Sequence, residues 1–327
     1  LMRLLMRLAG LGIVLVLVCA RYEQQQWTTP VAVNALYVTP GMTARQVSQA
    51  LHPTWPAWRH ALVFRVFPQL GTPQVGRYQW SPQMGYLAVL EKIGAGEAIP
   101  SRTTLIEGTT IQEAWARVIA HPDVVSTGAP EWRRWLSDWG SPFSHPEGVL
   151  LAETFFWHGE VAAEALLRRA HDALLDELNA AWSSASERTK AVLKTPYEAL
   201  ILASIVEKET GLSAERGLIA GVFLSRLEQG MRLQTDPTVI YGLGAQFDGN
   251  LTRKNLREKT PYNTYRIDGL PPTPIALVGR ASLEAVMHPK ATSALYFVSK
   301  GDGSHAFSET LDEHNRNVRR YQLGQTE

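Results

Sequence analysis

The chain has 327 residues, enough for about two domains, with 45% hydrophobic and 19% charged residues. Its formal net charge of +1, with no sustained basic stripe, argues against a nucleic-acid partner. One cysteine, Cys19, excludes an intramolecular disulfide framework and a cysteine-based zinc cluster.

In chain order, the first feature is the apolar run Leu8 to Ala20, preceded by Arg3 and Arg7. As a helix it covers about 20 Å against a bilayer core of about 30 Å. Counting from Leu4, with Arg7 snorkelling to the interface, gives a minimal span. Two readings stand: a signal anchor over 1–21, or a cleaved signal peptide ending at Val18-Cys19-Ala20. Bulky Val18 argues against a lipoprotein site. Either reading places the arginines inside and the bulk of the chain outside.

A polar linker, 22–35, leads to a region over 36–120 that repeats a strand–turn–capped-helix unit. In "ALYVTPGMTARQVSQAL", Thr43 and Gln46 form a capping box. In "TLIEGTTIQEAWARV", Gly108 makes the turn, Thr110 caps, and Glu113 is its N3 partner. Between them lie a strand around Tyr78 and a helix starting at Ser81-Pro82 and reaching about Ile93. Residues 121–193 read as a connector with one long amphipathic helix, "EVAAEALLRRAHDALLDELNAAW".

The segment 194–327 is denser in signals. Thr195, Pro196 and Glu198 start a helix, and Gly211 supplies the stop. A second helix spans about Ala214 to Gln229. Asp236-Pro237 opens a short helical turn, and 245–280 is loop-rich. "RASLEAVMH" is a helix, and "ALYFVSKGDGSHAFSET" a hairpin around Gly-Asp-Gly. A last helix covers Leu311 to Gln322. The fold class is α+β, with a mixed catalytic segment closing in a hairpin and a helix.

The first helix of that segment ends "ILASIVEKETG", with Glu207 and Glu209 two residues apart. Stepping about 100° per residue, Glu209 falls inside the arc of Ile201, Leu202, Ile205 and Val206. Glu207 falls on the other side, beside Leu200, Ala203 and Ser204. A carboxyl on an apolar stripe at a helix C-terminus is pushed toward its protonated form by burial and by the dipole. That is the state a general acid needs. The alternative is that the helix end leaves the core and Glu209 is solvated. There is no HExxH, GxSxG or GxxxxGK[ST] phrase, and His288, His305 and His314 show no metal-ligand spacing. "QTDPTVIYG" and "PYNTYRI" carry tyrosine faces and amide and hydroxyl groups that suit a sugar. They also read, more simply, as turn residues and core tyrosines.

Four phrases, "LASIVEKET", "SRLEQGMRLQTDPTVIYGLG", "PYNTYRIDGLPPTPIA" and "YFVSKGDGSHAFSETLDEHN", resemble in order and spacing the endolytic murein transglycosylases of the YceG-like family. The resemblance runs from about Tyr37 to Tyr321. It implies a single-pass inner-membrane protein with its bulk in the periplasm, and a LysM-like subdomain within 36–120, where "YVTPGMTARQVSQAL" is the similar part. It also implies a catalytic domain over 194–327 that cuts peptidoglycan glycan strands, nascent ones among them. No metal or other cofactor is expected. Cell-wall synthases are candidate partners.

The family's catalytic glutamate is the second acid of the E-K-E phrase, which maps onto Glu209. That glutamate is expected to protonate the leaving glycosidic oxygen and then, as a carboxylate, to take the proton of the muramic acid's own C6 hydroxyl. The hydroxyl closes onto C1 to leave a 1,6-anhydro ring, so one carboxylate can replace the usual pair. Gln234, Asp236, Tyr262, Asn263, Tyr265 and His305 are the candidates for holding the glycan. Asp236 has a second reading as a helix cap, and His305 as a hairpin residue. The chain departs from the family at Ala152-Glu153-Thr154-Phe155 and at Val278-Gly279. The competing readings are a noncatalytic peptidoglycan-binding scaffold and a hydrolytic muramidase.

Overall fold

The protein is described by a computed structural model covering residues 16–126 and 128–323. It is a mixed α+β structure of many helices and small two-stranded sheets. It forms two compact units: one reaches Arg102 and includes Phe156–Val161; the other takes Thr103–Phe155 and Ala162 onward.

In the first unit β1 (Ala35–Val38) pairs antiparallel with β2 (Gly76–Gln79), with Leu36 opposite Tyr78. Helix α1 (Ala44–Leu51) begins with the anticipated capping box of Thr43 and Gln46. Helix α2 (Ala57–Val66) was not anticipated; its N-cap, Pro56, offers no side-chain hydrogen bond, so its start carries no polar signature. Helix α3 (Tyr86–Gly94) starts four residues after Pro82, not at Ser81. The backbone before it bridges to Pro30 at Gly85, where a Cβ would lie 2.7 Å from the Thr28 carbonyl oxygen. Val38, Val47, Leu51, Val63, Tyr78, Tyr86 and Val89 fill the core. Ser48 joins His60 Nδ1 (2.6 Å) and the Tyr86 hydroxyl (2.5 Å) inside it.

The expected linker is structured. Residues 16–28 are helical, and Trp27 is buried in the core of this unit. Val16, Leu17, Val18 and Tyr22 are exposed. Among the described residues no helix is long and apolar enough to cross a membrane. Most of the apolar run proposed as an anchor falls on residues 1–15, outside the described residues.

The second unit begins in β3 (Ser101–Thr104), which pairs with β4 (Thr154–Trp157); the chain passes between the units within these strands. Helix α4 (Ile111–Ile119) has the Thr110–Glu113 capping box. It belongs to this unit, so the expected boundary at 120 moves to 102. The physical reason is its start: the Gly108 N–H donates to Leu277 O (2.9 Å), and the Ile111 N–H donates to buried Glu147 (2.9 Å). Helix α5 (Trp132–Asp138) follows. The supposed connector is also part of this core. Its long helix α6 (Ala163–Ser184) buries Leu166, Leu167, Leu174 and Leu178 and packs on the next long helices.

Helix α7 (Pro196–Glu209) lies at the centre. Around it pack α6, α8 (Ser213–Glu228), α9 (Asp236–Leu243) and α10 (Arg280–Met287). All of Ala199 to Val206 is buried, so α7 has no solvated face along that stretch. The hairpin forms as expected, β5 (Tyr296–Ser299) against β6 (His305–Ser308), with Phe297 opposite Phe307. Helix α11 (Leu311–Tyr321) packs on both strands.

Candidate active site

Helix α7 is built to deliver its C-terminus. Thr195 accepts the Glu198 N–H, Pro196 takes N1, and the Glu198 carboxylate accepts the Lys194 N–H (2.7 Å). The stop is not Gly211. Thr210 breaks the helix by turning extended, at φ −147°, and Gly211 is not among the glycines in the left-handed region.

The three residues of the E-K-E phrase have separate tasks. Glu207 accepts the Gly279 N–H (3.1 Å) and pairs with Arg216 (3.4 Å). Lys208 donates to Gly108 O (3.0 Å). Both hold the helix end to neighbouring segments. Glu209 is half-buried and opens on a cleft of about 410 Å³ together with Arg226, Gln234, Asp236, Tyr265 and His305. The two acids do diverge, as the helical wheel predicts. The wheel's reason was incomplete, because the side facing Glu207 is as buried as the side facing Glu209.

Burial pushes the Glu209 carboxyl up to about 7, and Asp236 adds to this; the Thr235 hydrogen bond, His305 and Arg226 oppose it. Thr235 donates its hydroxyl to Glu209 Oε1. A carboxyl near 7 is half protonated at neutral pH, able to give a proton and to take one back.

The floor is held by Arg226, a buried arginine on α8. It donates to the carbonyls of Leu295 (2.7 Å), Arg232 (3.1 Å) and Leu233 (2.8 Å), and reaches Gln234 Oε1 at 3.4 Å. Its guanidinium lies over the Tyr296 ring, 5.1 Å from the centroid. Among the described residues Gln234 is the one non-glycine at positive φ, +52°. Such a conformation persists only where its surroundings impose it. Here the Gln234 N–H donates to Thr264 O (3.2 Å) and the Thr235 N–H to Thr264 Oγ1 (3.0 Å). The strained residue aims Thr235 at Glu209.

The candidates divide. Gln234, Asp236, Tyr265 and His305 line the cleft with Glu209. Asp236 makes no cap hydrogen bond for α9, whose N-cap is Thr235; it accepts the Tyr265 hydroxyl (2.7 Å). His305 is tied to Glu215 of α8. Tyr262 and Asn263 stand outside the cleft lining. The Tyr262 hydroxyl meets Thr273 Oγ1 (2.9 Å), and its ring packs on Tyr241. Asn263 is fully buried and donates to the carbonyls of Asn255 (3.0 Å) and Glu258 (2.6 Å), while its Oδ1 accepts the Tyr265 N–H (3.0 Å). It shapes the loop that carries Tyr265.

Sequence reading missed Arg226, Thr235 and Glu215. Arg226 left one trace: a cation in the apolar run "GLIAGVFLSRLE". The other two become visible only through contacts distant in sequence. Among the described residues no three His, Cys, Asp or Glu side chains converge to hold a metal ion. A larger opening of about 860 Å³ is lined by Tyr197, Glu198, Leu270, Pro271 and Pro272. Its acids are already engaged, Glu198 by the Lys194 N–H and Glu228 by Arg188, so chemistry favours the smaller cleft.

A family model described as the YceG-like family matches residues 36–320, most of the chain. The chain belongs to the YceG-like family. An endolytic murein transglycosylase of Bacillus subtilis strain 168 is 37% identical over 179 residues, 54% of this chain and 48% of that protein. One of Streptococcus pneumoniae D39 is 29% identical over 177 residues, 53% of this chain and 31% of that protein. The chain thus spans half or less of the curated relatives' length in these matches. The crystal structure of a YceG-like protein from Listeria monocytogenes superposes with a TM-score of 0.58 at 28% identity, over 86% of this chain and 97% of that one. The fold described here is therefore that of YceG-like proteins.

Proposed function

We propose that this YceG-like protein is an endolytic lytic transglycosylase that cuts the β-1,4 bond between N-acetylmuramic acid and N-acetylglucosamine in peptidoglycan strands, nascent strands included. The observation that carries the reading is Glu209, a half-buried carboxyl poised near neutrality in a polar, aromatic-sided cleft. The family and the names of its relatives agree with it.

Glu209 protonates the leaving glycosidic oxygen. As a carboxylate it is then able to receive a proton while the muramic C6 hydroxyl closes onto C1. A nucleophile tethered in the substrate supplies the effective concentration that a second enzyme carboxylate would otherwise provide. Gln234, Asp236 and Tyr265 hold the sugar; Tyr262 and Asn263 act behind them by fixing the Tyr265 loop. In the same reading the first unit is LysM-like, residues 1–21 anchor the chain in the inner membrane, the rest lies in the periplasm, and cell-wall synthases are partners.

Digestion of glycan strands with mass-spectrometric product analysis tests the activity. Anhydro-muramic ends that vanish in Glu209→Gln support it. Free reducing ends would make the protein a muramidase, and binding without cutting would make it a scaffold.

A further inference from the structure

The proposed chemistry needs two proton movements, one to the leaving oxygen and one from the C6 hydroxyl. Most polar groups lining the cleft are already committed. Thr235 donates to Glu209, the Tyr265 hydroxyl donates to Asp236, and Arg226 is spread over carbonyls and Gln234. His305 is different. Glu215 Oε1 accepts its backbone N–H (3.1 Å), and Glu215 Oε2 lies 2.8 Å from its Nδ1. A carboxylate only accepts, so Nδ1 carries a ring proton, and in the neutral imidazole this leaves Nε2 as the basic lone pair. The His305 ring also meets Phe297 edge-on, with centroids 5.4 Å apart and planes at 90°. The His305 side chain is only 10% exposed and lines the cleft, whereas Glu215 stands behind it, outside the lining. His305 and Glu209 line the same cleft.

We propose that His305 is a second catalytic residue, whose Nε2 takes the proton of the attacking C6 hydroxyl, and that Glu215 is the positioning residue that fixes its tautomer. The inference rests on the transglycosylase reading. The proton of Glu209 goes to the glycosidic oxygen as the C1–O4 bond breaks. The C6 oxygen forms the new bond to C1 and gives its proton to His305. Proton exchange between the imidazolium and the Glu209 carboxylate restores both groups. The charged and titratable groups that line the cleft with His305 are Glu209 of α7, Arg226 of α8, Asp236 of α9, His314 of α11, Tyr265 and Tyr296, with Glu215 of α8 at its Nδ1.

The test measures turnover on glycan strands by full-length variants, with thermal melting as the fold control. His305→Gln, which hydrogen-bonds but takes up no proton at neutral pH, should lower kcat about 10²-fold or more with KM nearly unchanged. His305→Ala should recover part of that loss with added imidazole. Glu215→Gln should also lower kcat: its amide donates to Nδ1, which moves the ring proton to Nε2 and removes the base. If His305→Ala does not fold, the two glutamine variants decide. His305→Gln with wild-type kcat, or with only a raised KM, overturns the proposal and leaves His305 as a glycan-holding or hairpin residue. The wild type and Glu209→Gln in the same assay separate the two failures. Anhydro ends that depend on Glu209 but not on His305 sink this inference alone, whereas no anhydro ends at all sink the reading beneath it.

Discussion

At the scale of single residues, Glu209 shows the cost of placing an acid where it can react. Its carboxyl lies near 7 against an ordinary 4.5, raised chiefly by burial. Between those values the folded chain binds more protons than the unfolded chain, so stability falls as pH rises across the window. Fully expressed, the shift corresponds to about 3 kcal/mol. Glu209→Gln should therefore cost about 10²- to 10⁴-fold in cutting rate while raising Tm above pH 7, and a melt at pH 8 beside a digestion assay checks both. A variant that loses activity and also melts earlier would make Glu209 structural. Thr235 gives a second prediction. Its hydrogen bond favours the Glu209 carboxylate, so Thr235→Val should move the alkaline fall of kcat/KM to higher pH. Thr235→Ser should restore the wild-type profile. An unmoved limb in the valine variant would separate Thr235 from the acid's titration.

At the scale of elements, legibility follows sequence distance. The caps at Thr43, Thr110 and Thr195 were readable because cap and partner lie three residues apart. Glu209 was readable because an acid interrupts an apolar run within its own helix. The Thr235–Glu209 bond spans 26 residues and the Glu215–His305 pair 90, and no local pattern announces either. The stop of α7 was misread for a related reason: a glycine next to a helix end is a good prior, yet Thr210 had already turned the chain. Helix α4 shows how distant contacts also move domain boundaries. Its start is tied to Glu147, beside Gly148 at φ +72°, where an added Cβ would lie 2.4 Å from the Pro274 Cβ. Gly148→Ala should destabilise the second unit by about 2 kcal/mol or more, through strain and overpacking together. A denaturant titration that shows less than about 0.5 kcal/mol would mean that the 147–148 turn relaxes freely.

At the scale of the whole molecule, buried acids and buried histidines oppose each other. Burial raises Glu147 and Glu209 to about 7. It lowers His52 and His60 in the first unit, and His145, His171 and His314 in the second, below 6.5. The signs differ. The raised carboxyls contribute stability that is whole below about 4.5 and lost as pH rises through 7. The depressed imidazoles contribute stability that is whole above 6.5 and lost as pH falls through their lowered values, because the unfolded chain then binds the extra protons. The two sets act in overlapping windows with opposite sign, so the pH slope of stability between about 4.5 and 7 is their difference, the carboxyls lowering it and the imidazoles raising it as pH rises. Substitution tests that assignment by slope rather than by absolute Tm, which makes it insensitive to the packing a variant loses. Glu209→Gln should remove a falling contribution between about pH 4.5 and 7, so its Tm should rise with pH relative to the wild type across that window. His60→Gln should lower Tm, because Ser48 loses its ring partner, and its Tm should fall relative to the wild type as pH rises toward 6.5. Melts of both variants and the wild type across pH 4 to 9 measure this. If Glu209→Gln runs parallel to the wild type throughout, the cleft carboxyl is solvated in the folded protein, and its suitability as an acid has to come from the bound glycan instead.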